Sequence, residues 1–257
     1  DIFYRKTNEF NSMDIIESAY SNVHLIREYE EFKFGKKTFG LLSWINNDNL
    51  EKNMKIIKET STADYLCLHG EIVGFEMTKG NVADKGLSQD IFGKFDQVLS
   101  GHFHIKNKIG NIYYIGNPFQ TNWDDYGSDR GFHIYDHEKD EFKFIKNEYE
   151  NYDVIIYQDV TDQSSFDFSS YDGKIIKILV TKVSELNQAN YSKFLETLSK
   201  HCHEYMIIEV SEEEIKAPTI VKLKTNTDLI SDYITQLNVN DSQKEESLRI
   251  MYELHGT

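Results

Sequence analysis

The stretch 98-VLSGHFHIKNKIGNIYYIGNPF-119 decides how the chain is read. An apolar run, Gln97–Ser100, has the length and composition of a buried strand and stops on Gly101-His102-Phe103-His104. A second buried run, Asp64–Leu68 (DYLCL), stops on His69-Gly70. In open α/β sheets, ligands gather outside the carboxyl ends of the strands. Three imidazoles at two such ends would form a nitrogen-rich cluster. If the chain stays extended past Gly101, side-chain direction repeats every two residues, so His102 and His104 face one side. Gly101 would let the backbone pass close to that cluster. Taken alone, these histidines fit either a metal site or hydrogen-bonded structural groups.

The surrounding sequence sets the frame. Ser12 is positioned to cap a short helix over 13–20, and Val23–Arg27, Glu31–Phe34 and Thr38–Trp44 read as strands. Leu50, Met54 and Ile57 recur at helical spacing within 49–60. Ser88 precedes a helical pattern containing Ile91, Phe92 and Phe95. Short strands at 104–109, 111–115, 131–136 and 141–146, separated by Gly, Asn and Asp, predict hairpins. Past about residue 150 the pattern restarts with a strand at 174–181, a helix at 191–201 and a strand at 205–210. Two helical stretches, 227–237 and 242–254, close the chain as a helix–loop–helix. The expectation is an α/β (α+β) layered sandwich with three parts: 1–150, a β-α-β cap at 151–225 and a helical tail at 226–257.

Composition narrows the function. The net charge of −15 excludes holding DNA by protein charge alone. Two isolated thiols, Cys67 and Cys202, argue for a reducing compartment and against a disulfide framework. No apolar run is long enough to span a bilayer, so no membrane role is expected. Glycine-rich phosphate loops and nucleophile elbows are absent. His24 and His133 read as structural, as does Cys67, a small apolar residue. His201-Cys202-His203 lacks the spacing of a closed zinc site. Glu212–Glu214 reads as a solvated loop, and Lys106, Lys108 and Arg130 as surface charge or as DNA contacts.

Four blocks in this order carry a resemblance: Leu68-His69-Gly70, Leu99–His104, Tyr114–Pro118 (YIGNP) and Asp129–Asp136 (DRGFHIYD). They resemble the late motifs of calcineurin-like metallophosphoesterases, most of all the SbcD-type nuclease subunits and their T-even phage counterparts. The resemblance extends over nearly the whole chain, cap and tail included. It implies a four-layer sandwich of two mixed sheets with two divalent ions at the sheet edge, manganese first and magnesium as the alternative. His69 and His102 would ligate one ion and His104 the other; no further catalytic residue is assigned. The implied activity is DNA phosphodiester hydrolysis in recombination and repair, in the bacterial or phage-infected cytoplasm. Implied partners are DNA, an SbcC-type ATPase whose coiled coil receives the tail, and a second copy in a homodimer.

The family's early motifs, Asp-x-His, Gly-Asp-x-x-Asp and Gly-Asn-His-Asp, are absent from this chain. Asp1 matches the last residue of the third, which implies a sandwich lacking its first strands and helices and a fragment inactive by itself. Two other readings stand beside this one. The first is a phosphatase or small-molecule phosphodiesterase of the same family, and the second is a non-catalytic scaffold of the same fold.

Overall fold

The computed structural model describes residues 13–78, 80–183 and 186–211, with isolated residues between 233 and 250. The chain divides into two compact units, one taking residues up to 121 together with 127–149, the other 122–126 and everything from 150. Both are mixed α and β. No helix among the described residues is long and apolar enough to cross a membrane.

The first unit opens with α1 (Met13–Ala19), followed by the hairpin β1 (Tyr29–Phe34) and β2 (Lys37–Leu42). The strand expected at 23–27 does not form. Its polar groups turn to nearby side chains instead. Leu25 N–H donates to Glu17, Arg27 pairs with Asp14 and Glu17, and His24 pairs with Glu30. The helix expected at 49–60 is α2 (Leu50–Lys55) running into a π turn at Ile56–Thr60. That wider turn buries both Ile56 and Ile57. The Ser88 helix is a single 3-10 turn, Gln89–Phe92, and the Ser88 side chain makes no cap hydrogen bond.

Strands β3 (Tyr65–His69), β6 (Gln97–Gly101) and β8 (Ile112–Tyr114) join β2 as parallel neighbours. Between β3 and β6 lies the small pair β4 (Glu76–Thr78) and β5 (Asn81–Val82). Antiparallel β1 and β7 (Asn107–Ile109) close the two edges, giving a six-stranded mixed sheet in the order β1-β2-β3-β6-β8-β7. Alternation assigns the faces. Leu66, Leu68, Val98, Ile112 and Tyr114 turn into one core with Ile57, Ile72, Phe75, Phe92 and Phe103. Each such apolar side chain contributes about 1.5–3 kcal/mol by leaving water. A separate hairpin, β9 (Gly131–Asp136) with β10 (Glu141–Lys146), sets Tyr135 against Phe39 of β2 and Phe142 against Tyr65 of β3.

The second unit is a three-stranded parallel sheet, β11 (Tyr152–Ile156), β12 (Ile175–Val180) and β13 (Glu204–Glu209), with α3 (Gln188–Leu198) connecting the last two. The Asn187 side chain caps α3 by accepting from Asn190 N–H. Tyr191, Phe194 and Leu198 lie at helical spacing and pack on Ile155, Ile176, Ile178 and Val180. Ser12, Glu212–Glu214 and most of the expected tail at 226–257 lie outside the described residues.

Candidate functional site

Because β3 and β6 run parallel and in register, their last residues, His69 and Gly101, are paired. The ring of His69 lies so close to Gly101 that an added Cβ would stand 2.8 Å from His69 Nδ1. Only a hydrogen fits there. The next residue, His102, has φ +95°, a conformation that costs a non-glycine residue about 1–3 kcal/mol. The chain therefore bends at His102 instead of continuing extended, so strand alternation is not what places His102 and His104. The bend brings the rings of His102 and His69 together, centroids 5.3 Å apart and nearly perpendicular.

His104 sets its Nδ1 3.4 Å from Thr121 Oγ1, and it lies near enough to His102 to help hold that ring unprotonated. Its carbonyl accepts from the Arg130 guanidinium and from Asn117 N–H. Arg130 is only 3% exposed and also donates to Ser128 Oγ at 2.7 Å. It braces the 102–104 turn and is not a surface contact for DNA. Lys106 lies 3.6 Å from the centre of the Phe144 ring. His24 and His201 pair with Glu30 and Asp172, and His133 sits edge-on to Tyr113, in keeping with structural roles.

Beneath the pair, Phe103 stacks on Tyr114, which packs on Phe75. The Tyr114 hydroxyl donates to the Gly70 carbonyl at 2.6 Å, and Ser100 Oγ reaches the same oxygen at 3.3 Å. Trp44 stands edge-on to His69 at 6.4 Å. A residue the sequence reading missed, Glu71, accepts from His102 Nε2 at 3.1 Å. Its only signal was adjacency, two places after His69.

Burial pushes the His69 imidazolium down to about 3, and burial also lowers His102 although Glu71 pulls the other way. Both rings are neutral at pH 7 and present a lone pair. Among the described residues no three His, Cys, Asp or Glu side chains converge to hold an ion by themselves. The donor chemistry fits a divalent ion as two adjacent nitrogens, short of a full ligand set. An acid titration tests the burial. An unfolded histidine protonates near 6.5, whereas folded His69 resists to about 3, so the unfolded state binds more protons in between. Stability is expected to fall as pH drops from 6.5 towards 3, and His69→Gln to flatten that fall, read as urea midpoints against pH. Parallel curves would refute it.

No protein-family profile matches the chain. Compared with individual proteins, it is similar to exonuclease subunit 1 of Enterobacteria phage T4, 25% identical over 258 residues. The match spans 99% of this chain and 74% of that protein. The likeness covers both compact units and supports a relationship to a nuclease subunit.

Proposed function

We propose that the chain is the nuclease subunit of a DNA recombination and repair complex, hydrolysing phosphodiester bonds with two divalent cations, manganese first and magnesium second. One observation carries this reading. Two neutral imidazoles, His69 and His102, meet at the carboxyl edge of a parallel sheet, in a chain similar almost throughout to a protein named as an exonuclease subunit. His69 and His102 would hold one ion and His104 the other. Bound divalent cations supply Lewis acidity and a water acidic enough to attack phosphorus at neutral pH.

The chain's own residues prepare that chemistry. Buried Phe103 and the edge of Trp44 flank the imidazoles with apolar surface, and burial keeps the rings unprotonated. The net charge of −15 repels a polyanion, so the duplex would be held through the ions and through a partner. The fold is then the calcineurin-like sandwich, with residues 1–150 as nuclease domain and 151–225 as a cap facing DNA. The tail at 226–257 would dock on the coiled coil of an SbcC-type ATPase, and the assembly would hold two copies in the cytoplasm.

One observation favours a second reading, a non-catalytic scaffold of the same fold: no third donor joins the imidazole pair among the described residues. The assay is manganese-dependent release of nucleotides from linear duplex DNA. It compares this chain with a form that also carries Asp-x-His, Gly-Asp-x-x-Asp and Gly-Asn-His-Asp upstream. The carboxylate-bearing form is expected to be at least about 1,000-fold faster, since a cation clamp supplies several kcal/mol of transition-state stabilisation at 1.36 kcal/mol per decade. Equal rates in both would sink the proposal, and no release from either would leave the scaffold. Hydrolysis of a small chromogenic phosphodiester without DNA binding would point to a phosphatase-like relative.

A further inference from the structure

We infer that Glu71 is a positioning residue for His102, fixing which ring nitrogen that imidazole offers to the shared site. The inference rests on the metal-site reading above and adds a residue to it. A carboxylate only accepts, so the Nε2 bonded to Glu71 Oε1 at 3.1 Å must carry the hydrogen. The lone pair of the neutral ring then falls on Nδ1, which is buried. Carboxylate–imidazole–metal arrangements work this way, the outer carboxylate setting the tautomer and the ring angle.

Three features show that the contact is built. The Glu71 backbone is fixed, its carbonyl accepting from Leu87 N–H at 2.8 Å beside the parallel bridge Ile72–Leu87. Gly86, at φ +121°, passes so close that a Cβ there would stand 2.6 Å from the Glu71 oxygen. On the other side, His102 occupies a strained backbone conformation that the surrounding structure must hold in place. The third feature is exposure. The Glu71 side chain is 54% exposed and that of His102 25%. A half-exposed hydrogen bond from a neutral imidazole to a carboxylate adds no more to stability than the about 0–1 kcal/mol of an exposed ion pair. A stabilising role is therefore small, and what the carboxylate contributes is the orientation and tautomer of the ring.

The test uses the full chain and two readouts. Long-range nitrogen–proton NMR of His102 without metal reports the tautomer, and electron paramagnetic resonance of free manganese reports binding. In the parent the Nε2–H form is expected to dominate. Glu71→Ala should lose that preference and weaken manganese binding about 10–100-fold. Glu71→Gln, whose amide oxygen still accepts, should keep the tautomer and stay within a few-fold of the parent. An unchanged His102 tautomer in Glu71→Ala overturns the inference whether or not manganese binds. Unchanged manganese affinity in Glu71→Ala, alongside loss in His69→Ala, also overturns it while leaving the metal site standing. If the parent takes up no manganese, the metal reading fails and the tautomer comparison alone decides on Glu71.

Discussion

Replacing Tyr114 with alanine is expected to lower the unfolding free energy of the first unit by about 3–5 kcal/mol. The ring is fully buried between Phe75 and Phe103, at 4.8 and 4.6 Å between centroids. Its removal leaves a cavity under both histidine-bearing turns, because Phe103 lies between His102 and His104 and the hydroxyl holds Gly70 next to His69. Tyr114→Phe keeps the packing and loses one hydrogen bond, for about 1 kcal/mol. Ser100 Oγ, 2.9 Å from the Gly101 oxygen and 3.3 Å from that of Gly70, can turn its one hydrogen to Gly70, which holds that figure down. Urea unfolding followed by near-ultraviolet circular dichroism separates the two variants. Equal effects would mean that the hydroxyl, not the ring, supports the site.

Removing either member of the imidazole pair is the second large effect. His69→Ala and His102→Ala are each expected to weaken manganese binding by about 100-fold or more, beyond the 10–100-fold typical of losing an outer-shell partner. Little change in fold should accompany His102→Ala, because its ring is 25% exposed and meets the core through Phe103. His104→Ala should act differently, since His104 sets its Nδ1 beside Thr121 and would hold the other ion. Retained affinity in both His69→Ala and His102→Ala would show that the pair is structural. Isothermal titration with manganese, with amide NMR spectra as a control for folding, makes the comparison.

Much of the first unit was legible because its signals are local. The buried runs at 64–68 and 97–100 became β3, shifted by one residue, and β6, longer by one. The hairpin strands at 131–136 and 141–146 appear with the boundaries expected. In the second unit, strand, helix and strand follow at 175–180, 188–198 and 204–209. Residues 23–27 misled because their apolar alternation carried no information about the carboxylates of α1 that capture their polar groups. Residues 102–104 misled for a related reason. Extended geometry was the default after a strand, and nothing local announces a positive φ at a histidine.

The candidate site divides along the same line. The sequence by itself determined which groups arrive: imidazoles at the ends of two apolar strands, a glycine beside one of them, and an acidic chain that cannot hold DNA by charge alone. Only the tertiary structure decided how they meet. Parallel pairing of β3 with β6 sets His69 over Gly101, the bend at His102 returns its ring to His69, and Glu71 reaches His102 across 31 residues of sequence. It also took Arg130 out of solvent and put it under the His104 turn. The reason is physical. Strand and helix propensities act over a few neighbouring residues, whereas these contacts exist only after strands distant in the chain lie side by side and exclude water.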